Sequence, residues 1–151
     1  MSSPEEIIAE LGYYSASVHG LSMYPLLKDH RDSVFIKKKA SYDKYDVILF
    51  RRESGQLVLH RLRWIKDGFY VCSGDNDRVY EIVDPKSVIG YMAEFCRNGS
   101  IKRADGFLYK AYGRIWAFSM PTKRFLQLVC EWSVILKNKF LRVFKNGNGN
   151  S

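Results

Sequence analysis

Through the first hundred residues apolar side chains recur at short, roughly alternating spacing, the signature of half-buried β-strands. Runs rich in aromatic and β-branched residues fall at Ser33–Lys38, Asp46–Arg51, Gln56–Ile65, Gly68–Ser73 and Val88–Arg97. Turn-forming clusters separate or follow them: Ser54-Gly55, Lys66-Asp67-Gly68, Gly74-Asp75-Asn76 and Asn98-Gly99-Ser100. Between Gly20 and Gly99 no stretch has helical periodicity over helix length, which disfavours a parallel doubly wound sheet and predicts antiparallel hairpins. At the N-terminus, Ser2-Ser3-Pro4-Glu5-Glu6 supplies a cap, a proline for the first turn and acids for the positive helix end. A short helix through Leu11, stopped by Gly12, follows. After Pro121 the spacing changes: Phe125, Leu128, Val129, Trp132, Leu136, Phe140 and Val143 share one helical face, with Lys137, Lys139, Arg142 and Lys145 towards its end. The expected fold class is mainly β (α+β): antiparallel sheets with a short N-terminal helix and a C-terminal helix.

At 151 residues the chain has the length of a single domain. The expected organisation is a β domain over 1–121, a basic amphipathic helix over 122–145 and a disordered Asn/Gly/Ser tail over 146–151. Charge sharpens this division. Residues 1–100 hold 14 basic and 14 acidic side chains, whereas 101–151 hold 10 and 2, so the whole net charge of +8 sits in the C-terminal third. Such a segment suits an anionic partner, and its apolar stripe makes a membrane surface the second expected partner after a peptide substrate. Nucleic acid is not expected, because no recognised binding motif accompanies the charge. Cys72, Cys96 and Cys130 are odd in number and widely spaced, which argues against a disulfide framework and a cysteine zinc site. A reducing, cytoplasmic location is expected, with peripheral membrane contact through the C-terminal helix and no transmembrane segment. Phe125 to Leu136 is about half a spanning length and carries Glu131.

The most specific chemistry lies in Gly20-Leu21-Ser22-Met23-Tyr24-Pro25. A serine just after glycine and before a proline-stiffened turn can be held exposed, with its own N–H free to bind an oxyanion. Downstream follow the strand opening Asp46-Val47-Ile48-Leu49-Phe50, then Leu59-His60-Arg61, then Gly74-Asp75-Asn76-Asp77. In this order the segments, from about Val18 to Phe95, resemble the superfamily of signal peptidases and self-cleaving repressor peptidases. With histidine in the base position, the likeness is to the histidine-using, signal-peptidase-like branch. The resemblance implies Ser22 as nucleophile, His60 as general base and an aspartate of the turn as the orienter of His60, with Asp75 slightly preferred over Asp77. It also implies an extended peptide substrate with small residues near the scissile bond; no cofactor or metal is expected. Gly20 stands where many signal peptidases carry a second serine, leaving the Ser22 N–H as the assignable oxyanion donor.

The residue types suit the chemistry. A serine hydroxyl attacks an amide at neutral pH only when a base removes its proton, and imidazole, with a reference pKa near ~6.5, does so without strong perturbation. A carboxylate on the other ring nitrogen would fix the tautomer and stabilise the imidazolium. The expected activity is therefore a serine endopeptidase acting on an extended, leader-like segment by acyl-enzyme chemistry. Alternatives are a catalytically silent peptide-binding module on the same fold, or a basic membrane-surface or nucleic-acid adaptor. His19 reads as a surface histidine, a substrate contact or a rival base. Ser119-Met120-Pro121 reads as a helix-entry turn, and His30-Arg31-Asp32 as a chance match to a kinase tripeptide.

Overall fold

The structure is a computed structural model that describes residues 2–104, 109 and 111–115. The chain divides into Met1–Ala117 and Phe118–Ser151, and the described residues all fall in the first unit. The expected helix over 122–145 and tail over 146–151 lie outside them. Helix α1 (Pro4–Leu11) begins with a capping box: Ser3 Oγ accepts the Glu6 N–H at 3.2 Å, and the Glu6 carboxylate accepts the Ser3 N–H at 2.9 Å. Its buried side chains are Pro4 and Ile8, and the Gly12 N–H closes it on the Ile8 carbonyl.

Eight strands follow: β1 (Tyr14–Ser17), β2 (Ser33–Lys37), β3 (Val47–Arg51), β4 (Leu57–Lys66), β5 (Phe69–Ser73), β6 (Glu81–Val83), β7 (Val88–Arg97) and β8 (Ser100–Arg103). All pair antiparallel in one sheet, ordered β1-β2-β7-β3-β4-β5-β6, curled into a half-barrel. Strand β7 is its spine. One edge of β7 carries β2, while the other carries β3 along its first half and β8 along its second. The mainly β, antiparallel architecture expected from the alternation is thus observed.

Burial follows the pleat, because successive side chains of a strand point to opposite faces. In β3, Val47 and Leu49 join a large core with Ile8, Met23, Leu27, Val34, Ile36, Met92 and Phe95. Ile48 and Phe50 enter a second core with Val58, Leu62, Cys72 and Val83. A strand covered on both faces reads as a continuous apolar run, which Val47-Ile48-Leu49-Phe50 is. No helix among the described residues is long and apolar enough to cross a membrane.

Candidate active site

The segment carrying Ser22 is held from beneath by apolar anchors and one buried carboxylate. Met23, Leu26 and Leu27 are buried, and the Leu27 N–H donates to the Met23 carbonyl at 2.9 Å. Asp32, 1% exposed, accepts the Lys28 N–H at 2.9 Å and two Arg97 N–H groups at 2.7 and 3.0 Å; Arg97 also donates to the Leu26 carbonyl. Burial alone would raise the Asp32 pKa, but these bonds outweigh it and hold the carboxyl below its ordinary value. The half-buried Ser22 therefore sits on an arm fixed by β7 through Arg97.

The turn after β5 docks on the same arm. The Asn76 N–H donates to the Ser22 carbonyl at 2.7 Å. Gly74 is required there: a Cβ on it would lie 2.5 Å from both the Ser22 carbonyl oxygen and Asp77 Oδ2, closer than side-chain carbons approach.

On β4, His60 and Arg61 are neighbours and so face opposite sides of the sheet. His60 is 6% exposed and packs its ring edgewise near Phe50 at 6.1 Å. Its Nε2 lies 3.2 Å from Asp77 Oδ2. Its Nδ1 lies 3.4 Å from Glu81 Oε2, without the alignment of a hydrogen bond, and is a buried nitrogen with no hydrogen-bond partner. Glu81 is committed elsewhere, accepting Arg52 Nε at 2.5 Å and Nη2 at 3.0 Å. That bidentate bond is the main reason its carboxyl sits below the ordinary range. Burial pushes the His60 imidazole below its ordinary pKa. Asp77 and Glu81 oppose that shift and Arg52 reinforces it. At neutral pH the ring is therefore uncharged and able to accept a proton.

Asp75 has a different setting. Fully buried, it takes a bidentate bond from Arg61, Nε and Nη2 at 2.7 Å each, and a third from Arg63 Nη2 at 3.2 Å. Arg63 also donates to Ser73 Oγ at 2.8 Å and the Gly74 carbonyl at 3.2 Å. Burial would depress the Arg61 pKa, but Asp75 more than offsets it and the guanidinium is held above its usual value. Arg63, with only one oxygen of the shared carboxylate, is lowered by burial. The difference reflects the better geometry of the Arg61 pair. Behind Arg61, the rings of Tyr109 and Tyr112 stand 5.5 and 5.8 Å from the guanidinium.

Ser22, His60 and Asp77 line one groove of about 440 Å³. Its walls include Tyr14, Ala16 and Ser17 of β1, and Leu57, Val58 and Leu59 of β4. Both wall segments are paired on one side only among the described strands: β1 with β2, and Leu57–His60 with β3, since β5 joins β4 from Arg61 onward. Among the described residues no hydrogen bond joins Ser22 Oγ to His60; both line the groove. The sequence reading did not single out Arg52 or Glu81. Their pair spans 29 residues, and no local pattern links them. Comparison with protein-family models, with curated proteins and with solved structures finds no match.

Proposed function

We propose that the chain is a serine endopeptidase of the signal-peptidase-like kind, with Ser22 as nucleophile, His60 as base and Asp77 as orienter. The carrying observation is the buried His60 with Asp77 3.2 Å from one ring nitrogen, in the groove that Ser22 also lines. An extended peptide would complete the one-sided pairing of β1 and Leu57–His60, presenting its carbonyl to Ser22. The nitrogen not held by Asp77 is Nδ1, buried beside Glu81, so the ring turns towards Ser22 in the peptide-bound state. Ser22 Oγ then attacks the carbonyl as its proton passes to His60, and the C–N bond breaks to leave the acyl-enzyme. The Ser22 N–H receives the oxyanion, and His60 returns the proton to the leaving amine. Catalytic hydrogen bonds are often long before substrate binds, so closure of the Ser22–His60 distance belongs to the peptide-bound state.

The absence of a Ser22–His60 hydrogen bond favours a second reading, a peptide-binding module in the same groove. A fluorophosphonate probe separates the two. Labelling of wild type, lost in Ser22→Ala and weakened in His60→Ala, is the result expected of a peptidase. Peptide binding without labelling in any variant would leave the binding module. The basic C-terminal third is proposed as a contact to anionic lipid, checked by co-sedimentation with anionic and neutral vesicles. Failure to pellet with anionic vesicles at low salt would refute it.

A further inference from the structure

At the groove edge that His19 lines, His19, Asp29 and His30 bring their ligand-type atoms within 4.8 Å of one another. We propose that these three side chains form a Zn²⁺ site that ties the Val18–Ser22 arm to the turn at Asp29-His30. The backbone places them there independently of any ion. The His30 N–H donates to the Val18 carbonyl at 2.9 Å, and the Val18 N–H donates to the Asp32 carbonyl at 2.9 Å. Asp29 Oδ1 accepts the Gly20 N–H at 2.9 Å, which orients its carboxylate as an outer partner orients a metal ligand. The two imidazoles stand edge to face with centroids 4.7 Å apart, and His30 Nε2 is 3.5 Å from Asp29 Oδ1.

The donor set narrows the ion to a divalent transition metal, of which Zn²⁺ is the redox-inert one that favours a four-coordinate site. Two imidazoles and one carboxylate with a remaining position for water match Zn²⁺, whereas Mg²⁺ and Ca²⁺ prefer oxygen donors throughout. Bonds of about 2.0–2.1 Å in a tetrahedron put ligand atoms about 3.3 Å apart. The three groups therefore need to close by up to about 1.5 Å, which the exposed His19 and His30 side chains reach by rotation. His19 and Gly20 also line the groove, so the ion would stiffen one of its walls. The wide cysteine spacing has no bearing on this cluster, which the fold assembles from two loops. The Zn²⁺ site does not depend on Ser22 being a nucleophile.

The test titrates Zn²⁺ into the chelator-treated full-length chain by calorimetry and Co²⁺ by absorption. The expected result is one Zn²⁺ per chain and a tetrahedral nitrogen/oxygen Co²⁺ spectrum without a thiolate charge-transfer band. His19→Ala and His30→Asn should each weaken binding at least ~10-fold, the lower end of the loss from removing an outer-shell partner alone. Asparagine suits the left-handed backbone of His30, φ 52°, so the metal-free variant should melt with wild type. Ser22→Ala and His60→Ala should bind Zn²⁺ as wild type does. No binding, a thiolate band, unchanged affinity in both loop variants, or loss only in His60→Ala would each overturn the site.

Discussion

Replacing Asp75 by Asn separates a structural carboxylate from an orienting one, because shape is kept and only charge and acceptor capacity change. Asp75 and Arg61 are both fully buried, and Arg63 is nearly so, with side-chain exposures of 0%, 0% and 4%. Asparagine turns one of two acceptor oxygens into a donor facing guanidinium donors, and leaves two buried cations without their anion. Breaking a buried pair on one side costs about 3–5 kcal/mol, against about 5–15 kcal/mol for a whole domain. At about 2–4 °C per kcal/mol for a chain of this size, melting should fall by roughly 6–20 °C. Urea denaturation followed by tryptophan fluorescence and circular dichroism should show a lower midpoint with unchanged slope. Asp77→Asn is the control. Its side chain is 38% exposed and faces His60, so stability should change by less than about 1 kcal/mol while peptide cleavage falls by up to ~10⁴-fold. An Asp75→Asn protein with the wild-type midpoint but no cleavage would refute the assignment and return the orienting role to Asp75.

Burial holds the His60 pKa below its ordinary value, so the rising limb of kcat/KM should lie below pH ~6.5, and any activity left in His60→Gln should lack that limb. The same shift fixes a sign for stability. The folded form resists protonation, so this contribution is fully present above the unfolded value near ~6.5. It is lost as pH falls through the folded value, and the wild-type minus His60→Gln difference in unfolding free energy should shrink on acidification. Gly74→Ala forces a methyl against the Ser22 carbonyl and the Asp77 carboxylate. A loss of about 1–3 kcal/mol together with reduced probe labelling is expected, and a fully stable, fully labelled variant would contradict that contact. Ser3→Ala removes the capping box and should cost about 1 kcal/mol without altering labelling, both read from the same denaturation and probe assays.

Where a segment's hydrophobicity follows its pleat, the fold was legible in its sequence. Val47–Arg51, Leu57–Lys66 and Val88–Arg97 emerge close to their expected bounds because their apolar positions face cores. Asn98-Gly99, with φ of 53° and 76°, makes the turn its composition predicts, yet β8 after it escaped notice. All four β8 residues are exposed, so the strand exists through backbone pairing with β7 and leaves no pattern of side-chain burial. Strand β6 is three residues long, too short for alternation to be distinguished from chance, and β1 never buries a side chain fully.

The candidate site divides along similar lines. Residue type and order singled out Ser22, His60 and two aspartates, but the choice between Asp75 and Asp77 depends on which face of β4 each acid reaches. Alternation puts His60 and Arg61 on opposite faces, and burial then allots the partners. A guanidinium withdrawn completely from water cannot remain unpaired, so Arg61 takes the acid that is itself fully buried. Asp77, with a side chain still partly in water, can stand beside a neutral imidazole at little cost. Glu81 reaches the same ring, but Arg52 holds both of its oxygens. Of the three acids near β4, Asp77 is therefore the one able to follow a change of charge on His60. That property depends on where Arg52, Arg61 and Arg63 are folded, and no spacing of acids along the chain encodes it.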